Sequence, residues 1–326
     1  MLSLDSQVLL LLCSHVAVPN DSDLSPLTLR EWNPLARKIQ ASAYGRPGEL
    51  LGQAVADFVN QLEVTEEEAE RLNRLLARTE ELRLALEMLA SLGIHALTRA
   101  DAGYPQRYRQ RLKDSAPVVL FYAGEPALLG QPGIAVVGSR HLDQAGQDCA
   151  EFVGNACGLS GLVLYSGGAK GVDTISMNAA LEVRGSAVGI LAHSLQQTIR
   201  DAETRETLRR GDLCLATPYS PSAGFSVGAA MGRNRLIYCL ADYAIVVASD
   251  AGKGGTWGGA SEALKAGWLP VFVLDHPAMP EGNRQLLQKG GLAFPHPFPE
   301  HYSKLPGWLM ENSAHPGPKV TQLGLF

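Results

Sequence analysis

Short apolar runs alternate with helical stretches from residue 134 to residue 275, and this rhythm constrains the fold more than any other feature. The runs are IAVVG, LVLYSGG, AVGILA, LCLAT, AIVVAS and PVFVLD. Strands that are apolar throughout are buried on both faces, and the helices between them supply the cover. The sequence therefore predicts an α/β fold with a Rossmann-like, doubly wound and mostly parallel sheet.

The region before these strands has a different period. From Leu27 to about Leu92 the apolar residues recur at helical spacing, and Thr65 with Glu68 forms the pattern of a capping box. A further strand is expected at VVLFYA, and the chain after residue 295 is short and rich in proline. We expect a small all-helical N-terminal domain over residues 1–92, a Rossmann-like domain over residues 93–295 and a flexible tail over residues 296–326.

Composition limits the class of partner. The 326 residues carry a formal net charge of −5, so no global basic field attracts nucleic acid or a membrane, and any polyanion site must be local. The five cysteines form no CxxC pair and no metal-binding cluster with histidine, and the apolar runs are too short to span a bilayer. We expect a soluble, cytoplasmic protein with no membrane association, no metal and no cofactor.

Glycines and cations gather where the predicted strands end. In a parallel sheet the carboxyl ends of the strands and the adjoining helix N-termini form the ligand-binding edge. Glycines there let backbone N–H groups approach a ligand, and a lysine or arginine adds a full positive charge, which together suit phosphate. The candidate phosphate-binding residues are Gly138, Ser139, Arg140, Gly167, Gly168, Lys170, Gly171, Arg233, Asn234, Arg235 and Lys253.

The standard nucleotide and catalytic motifs are absent. SGGAKGVDT lacks the GK[ST] ending of a Walker A loop, no GxGxxG follows the first strand, and no Ser/His/Asp set is present, so no catalytic residue is assigned. Structural explanations stay open as well. Single glycines are common in packed turns, Asp173 suits a helix cap, and Arg233 and Arg235 would face different sides of a helix. Recurrence of the same design at three strand ends favours phosphate binding.

An ordered set of motifs connects the chain to a known family. GSR, SGGAKGVD and RNR occur in that order after LGIHALTRADAGYPQRY and APVVLFYAGEPALL. Over about residues 85–295 the sequence resembles the DNA processing protein A (DprA) family of the SLOG group. The resemblance implies that phosphates of single-stranded DNA are bound by Arg140, Gly168, Lys170 and either Arg233 or Arg235. It also implies delivery of DNA to the RecA recombinase, homodimerisation and a role in recombination, often in natural transformation.

The chain departs from the family pattern near RNR, and two rival functions would use the same edge of the sheet. Ala230-Met231-Gly232 stand where members usually have Phe-Pro two residues before RNR, and no C-terminal winged-helix domain is expected. GGTWGGASE at residues 254–262 resembles a loop of the lysine-decarboxylase-like phosphoribohydrolases, which cleave nucleoside monophosphates. A sensor of a nucleotide-derived signal would need a similar phosphate pocket. Transformation, repair and defence against phages or plasmids all stay open as pathways.

The last residues, TQLGLF, follow a stretch rich in proline and glycine that predicts a flexible leash. QLGLF resembles the QLxLF peptide by which bacterial replication and repair proteins dock on the DNA polymerase sliding clamp. The resemblance implies that Leu323, Leu325 and Phe326 enter an apolar groove and that Gln322 hydrogen-bonds at its rim. The alternative is a tail that folds back onto its own domain.

Overall fold

A single sheet forms the centre of the protein in a computed structural model that describes residues 2–18 and 23–313. Within those residues its strands are β1 (His95–Thr98), β2 (Val119–Gly124), β3 (Gly133–Val137), β4 (Val163–Ser166), β5 (Ser186–Ile190), β6 (Leu213–Thr217), β7 (Tyr243–Val246), β8 (Val271–Asp275) and β9 (Leu292–Pro295). Their spatial order is β1-β2-β6-β5-β4-β3-β7-β8-β9. Strands β3 to β9 pair with one another in parallel, whereas β2 pairs antiparallel with both β1 and β6.

Helices cover both faces of this sheet. They are α6 (Gln106–Leu112), α7 (Gln144–Leu159), α8 (Val172–Glu182), α9 (Leu195–Thr198), α10 (Ala202–Arg210), α11 (Val227–Leu240), α12 (Gly254–Ala266), α13 (Glu281–Gln288) and α14 (Leu305–Asn312). Side chains of a strand alternate between faces. Along β3, Ile134 and Val136 accordingly join one buried cluster with α7 and α8, while Ala135 and Val137 join a second cluster with α11 and α12. The predicted α/β, doubly wound and mostly parallel fold is confirmed.

The residues before the sheet are helical, as the sequence predicts. The helices are α1 (Leu4–Cys13), α2 (Leu29–Ala41), α3 (Val55–Leu62), α4 (Glu66–Leu76) and α5 (Thr79–Ser91). The predicted capping box is present at the start of α4: the Glu68 amide donates to Thr65 Oγ1 at 3.2 Å, and the Thr65 amide donates to Glu68 Oε2 at 2.9 Å. Each bond satisfies a backbone N–H that the helix itself leaves unpaired.

The predicted all-helical domain over residues 1–92 includes α1, but no separate helix was assigned there because its apolar residues show no helical period. Residues 8–12 are all buried, so the helix is enclosed by α4, α5 and the sheet rather than lying on the surface. The hydroxyl of Ser6 donates to Asp101 Oδ1 at 2.6 Å, and the amide of Thr98 donates to Asp101 Oδ2 at 2.6 Å, which ties α1 to the end of β1. The hydrophobic core therefore continues across residue 92, and the domain boundary there stays a prediction.

The strand order reverses beside β3. The chain runs from β3 through β4 and β5 to β6 in one direction, then places β7, β8 and β9 on the opposite side of β3. In such sheets the crevice at the carboxyl ends of the two strands flanking the reversal binds ligands. Here that crevice lies between the loops that follow β3 and β7.

Packed structure extends past residue 296, where the sequence predicts a tail. Leu305 and Leu309 of α14 are buried, and the Trp308 ring lies 5.6 Å from Phe294 and 5.4 Å from Phe298, centroid to centroid. These large apolar side chains cover β9, the edge strand of the sheet. The proposed clamp-binding residues Gln322, Leu323, Leu325 and Phe326 lie outside the described residues. No helix in the described ranges has the length and apolar character that a bilayer span requires; cytoplasmic location stays a prediction.

Candidate functional site

The loops after β3 and β4 contact each other at the point where the strand order reverses. The amide of Ser139 donates to the carbonyl of Ala248 at 2.9 Å, which joins the ends of β3 and β7. A Cβ on Gly138 would lie 2.4 Å from Cγ2 of Val172, the first residue of α8. Gly171 has a φ of +91°, and a Cβ there would lie 2.5 Å from the Ser139 carbonyl oxygen. Only glycine fits these two positions, and GSR and SGGAKG therefore form one continuous surface.

Asp173 organises the loop after β4. Its Oδ2 accepts hydrogen bonds from the amides of Gly167 at 3.2 Å and Ala169 at 3.3 Å, and the side chain is buried. Burial raises the pKa of Asp173 above its usual value, although the charge of Arg233 opposes that shift. The sequence assigned Asp173 only a capping role. In the structure Gly171 is the N-cap of α8 and no side chain among the described residues caps this helix, so Asp173 instead binds the loop amides and faces the guanidinium of Arg233.

Arg233 reaches from α11 to this loop. Its Nη1 lies 4.0 Å from Asp173 Oδ2, which is an ion pair but too long for a hydrogen bond. A Cβ on Gly167 would stand 1.4 Å from the same Nη1, so the guanidinium occupies the space that any side chain at residue 167 would need. The residue is only 5% exposed, and burial lowers the pKa of its guanidinium. Arginine nevertheless keeps its charge in proteins, so the loop contains a fixed cation.

Two nitrogens of this buried guanidinium are unused. Neither Nε nor Nη1 of Arg233 has a hydrogen-bond partner among the described residues. A buried donor without an acceptor costs about 1–3 kcal/mol, so its presence calls for an explanation such as a ligand or water. The site also lies at the N-terminus of α8, where the helix dipole favours an anion, although the amides of Val172 and Thr174 there already donate to the carbonyls of Ser139 and Ala169. Together these features can hold a phosphate group.

The remaining cations divide into two groups. Arg140 and Lys170 are exposed on the contiguous GSR and SGGAKG loops and can follow a charged backbone out of the pocket. Arg235 points elsewhere, because its Nε lies 3.9 Å from Glu262 Oε1 on α12. This Nε also lacks a hydrogen-bond partner among the described residues, so the position of Arg233 over the glycine loop is what distinguishes it. Asn234 also packs on α12, where a Cβ on Gly255 would lie 2.4 Å from its Nδ2. Lys253 is exposed at the residue before α12. The structure thus groups Arg233, and not Arg235, with the glycine loops.

Sequence reasoning missed an apolar surface at the same edge. Phe225, Val227 and Met231 are 55%, 68% and 53% exposed on the loop before α11 and on its first turns. The Arg140 guanidinium carbon lies 5.8 Å from the centroid of the Phe225 ring. The segment Phe225-Ser226-Val227 before RNR is the feature of the sequence that could have indicated this apolar surface.

Asn283 was also missed, and it holds the edge of the site together. Its side chain is fully buried at the start of α13. It accepts a hydrogen bond from the Ser249 amide at 2.9 Å, and its amide donates to the carbonyls of Val247 at 3.0 Å and Leu274 at 2.9 Å. These bonds join the ends of β7 and β8 and fix the start of the loop that carries Lys253. In the sequence, only the glycine directly before it, Gly282, which follows a predicted strand, could have indicated a structural role for Asn283.

One histidine at the same edge of the sheet is a candidate acid–base group. His193 is half-buried, its Nε2 lies 3.1 Å from Thr198 Oγ1, and burial together with the charge of Arg233 lowers its pKa. It is therefore neutral near pH 7. In the parts of the chain that the structure describes, no group of three or more His, Cys, Asp or Glu side chains is arranged to hold a metal ion.

The sequence matches a protein-family model and one curated relative. The model described as DNA recombination-mediator protein A matches residues 95–297. DNA processing protein DprA from Streptococcus pneumoniae is 32% identical over 181 residues, which are 54% of this chain and 62% of that protein. The chain therefore spans less than two thirds of the length of this relative.

Solved structures share the fold. The X-ray structure of DNA processing protein A from Streptococcus pneumoniae has a TM-score of 0.61 at 23% identity, covering 82% of this chain and 95% of the other. A structure from a study of the single-stranded DNA binding mode of DNA processing protein A from Helicobacter pylori has a TM-score of 0.55 at 24% identity, covering 68% and 97%. At these identities the likeness shows the fold alone. Because the family model spans more than half of the sequence, the chain belongs to the DNA recombination-mediator protein A family.

Proposed function

We propose that this chain binds single-stranded DNA at the end of β3 and acts as a recombination mediator without catalysing a reaction. The observation that carries the proposal is the buried Arg233 guanidinium, whose Nε and Nη1 have no partner among the described residues. Phosphate oxygens are acceptors that match a guanidinium in charge and geometry. Arg140 and Lys170, exposed on the adjoining loops, would extend the contact to neighbouring phosphates.

Two further facts support a single strand as the ligand. The relative from Helicobacter pylori was studied for its single-stranded DNA binding mode. The net charge of −5 provides no extended basic face for a rigid duplex, whereas a flexible single strand can bend into a local cluster of cations. We therefore expect weak binding of duplex DNA at physiological salt.

Fluorescence anisotropy with labelled single-stranded and duplex DNA at several salt concentrations tests the proposal. We expect preference for the single strand and an affinity that falls with salt. Arg233→Gln should weaken binding, whereas the matched variant Arg235→Gln should not, because Arg235 pairs with Glu262 on α12. Tight, salt-resistant duplex binding, or equal effects of the two variants, would contradict the proposal.

A small nucleotide is the principal rival ligand, because one buried guanidinium beside one helix N-terminus would also fit a single phosphate. Calorimetry with mononucleotides and oligonucleotides separates the two ligands. The phosphoribohydrolase alternative needs a glutamate and an arginine, and Arg235 with Glu262 forms such a pair. Release of adenine from AMP by the purified protein would support that enzyme instead.

The proposed partners follow from the same function. Delivery of DNA to the RecA recombinase and formation of a homodimer are proposed from membership of the family, and neither is assigned to residues. Recruitment to the sliding clamp is proposed from QLGLF at the end of the sequence. Clamp recruitment would bring a single-strand binder to DNA that is being copied or has newly entered the cell.

A further inference from the structure

Three large apolar side chains are exposed at the N-terminal end of α11, and one of them lies beside Arg140. Phe225, Val227 and Met231, here termed the apolar shelf, each expose more than half of their surface. Val227 and Met231 are four residues apart on α11 and therefore share a face of that helix, and Phe225 precedes it by two residues. Apolar side chains clustered in this way commonly mark an interaction surface.

The shelf is held in place rather than loosely attached. The hydroxyl of Tyr219 donates to the carbonyl of Ala229 at 2.9 Å, and the amide of Ala229 donates to Ser226 Oγ, the N-cap of α11, at 3.0 Å. Further along the same helix, Arg233 is locked against Gly167. Val227 and Met231 of the shelf thus lie on the same helix as the buried cation, and Phe225 directly precedes the N-cap of that helix.

At Phe225 the shelf also adjoins one of the loop cations, Arg140. The guanidinium carbon of Arg140 lies 5.8 Å from the centre of the Phe225 ring. A phosphate held by Arg140 would therefore place its nucleotide next to an exposed aromatic ring. Proteins that bind single strands without sequence preference combine a cationic groove with aromatic side chains on which bases stack.

We propose that the apolar shelf receives unpaired bases of the DNA strand whose phosphates bind Arg140 and the glycine loops. This assignment rests on the proposed single-strand binding and adds a base-contacting surface to it. Stacking on Phe225 needs an unpaired base, because the base faces of a duplex are already covered by their neighbours. The shelf would therefore contribute selectivity for single strands that charge alone does not provide, with little sequence preference.

A pair of oligonucleotides separates base contacts from phosphate contacts. Binding is measured for an oligothymidylate of about twelve nucleotides and for an abasic strand of equal length and charge. The intact protein should bind the thymidylate roughly tenfold more tightly, as expected for stacking of one base. Phe225→Ala should bring the two affinities close together by weakening thymidylate binding alone, and Phe225→Trp should preserve the difference.

Leu159→Ala is the matched control. Leu159 is 58% exposed at the end of α7, so its truncation removes a similar apolar surface away from the shelf and should leave both affinities unchanged. If the intact protein binds both strands equally, the shelf assignment is wrong although the proposed function stands. If it binds neither strand, the proposed function itself fails. If Phe225→Ala instead dissociates a dimer in sedimentation and leaves the ratio of affinities unchanged, the shelf contacts a second copy of the chain and the assignment is overturned.

Discussion

The guanidinium of Arg233 lies directly over Gly167, so closely that a Cβ on the glycine would stand 1.4 Å from Nη1. Arg233 lies in the middle of α11 and Gly167 lies in the loop after β4, and each residue explains the other. The glycine leaves room for the cation, and the cation covers a backbone that Asp173 holds through two amides. The pair places beneath the loop a positive charge that faces Asp173 at 4.0 Å but keeps two nitrogens without a hydrogen-bond partner among the described residues, and these nitrogens could bind an anion.

Gly167→Ala tests this relationship directly. The added methyl group should displace the guanidinium of Arg233 and weaken single-strand binding by roughly tenfold, the effect of one lost charge-assisted contact. Overpacking at a buried position should also lower the free energy of unfolding by about 1–3 kcal/mol. Anisotropy gives the affinity and urea denaturation gives the stability.

Gly258→Ala is the control for that substitution. Gly258 lies in α12, and a Cβ there meets nothing within 4 Å. Alanine should keep the DNA affinity and raise the free energy of unfolding by up to about 1 kcal/mol, because it favours helix more than glycine does. An unchanged affinity in Gly167→Ala would mean that the cation beneath the loop does not bind DNA.

Arg233→Met should make stability depend more steeply on pH. The folded-state pKa of Asp173 is already raised above its ordinary value of 3.8, so the folded protein binds this proton more tightly than the unfolded chain. This carboxyl therefore favours folding at low pH, and that contribution is lost as pH rises from 3.8 through the folded-state pKa. Removing Arg233 raises the folded-state pKa of Asp173 further. The decrease in the free energy of unfolding with rising pH therefore becomes larger, about 3 kcal/mol near neutrality, and it ends at a higher pH.

Urea denaturation between about pH 4 and about pH 8 measures this dependence. Arg235→Met serves as the comparison, because its partner Glu262 is nearly half exposed and solvent screens the pair. Its pH profile should match that of the intact protein. Parallel profiles for all three proteins would show that Asp173 and Arg233 do not interact as their 4.0 Å separation implies.

Arg140→Ala and Lys170→Ala should each weaken single-strand binding several-fold without unfolding the protein. Both side chains are exposed on loops, so they contribute little to the core. Each lost phosphate contact should reduce the slope of log affinity against log salt by about 0.7. A salt titration of each variant measures the slope, and unchanged affinity in both variants would place the DNA elsewhere.

The sequence predicted the parts of the site that depend on local pattern. Apolar runs located the strands, and glycines with cations at their ends located the loops around Arg140 and Lys170. Strand ends in a parallel sheet meet at one edge whatever the details of packing, which is why these residues could be grouped. The choice between Arg233 and Arg235 could not be made, because residues two apart face different sides of a helix and the sequence does not say which side faces the loop.

The features of the fold and of the site that the sequence did not predict depend on contacts between segments that are distant along the chain. Nothing near Gly167 indicates that a guanidinium from α11 fills its side-chain space. Asn283 joins β7 to β8 only after both strands are in place. The helix α1 was not assigned as a separate element because burial on all sides removes the periodicity that identifies a surface helix. Side-chain pairing across the fold, rather than local preference, decides each of these features.

Deletion of residues 322–326 should abolish binding to the purified sliding clamp and leave single-strand affinity intact. In the proposed complex Leu325 and Phe326 enter an apolar groove, and burying such a side chain contributes about 2 kcal/mol. A peptide of five residues makes few contacts, so losing its two largest side chains is expected to remove detectable binding. Surface plasmon resonance on immobilised clamp measures the effect, and Leu325→Ala combined with Phe326→Ala should reproduce the deletion.

Lys319→Ala provides the control, because Lys319 precedes QLGLF and occupies no position of the motif. It should bind clamp as the intact protein does. Thermal denaturation of the deletion variant distinguishes the two explanations of the peptide: a docking segment can be removed without changing the melting temperature, whereas a segment folded onto its own domain contributes buried apolar surface and its loss lowers stability. A deleted protein that still binds clamp normally, or that melts earlier, would mean that QLGLF serves the structure of this chain and not recruitment.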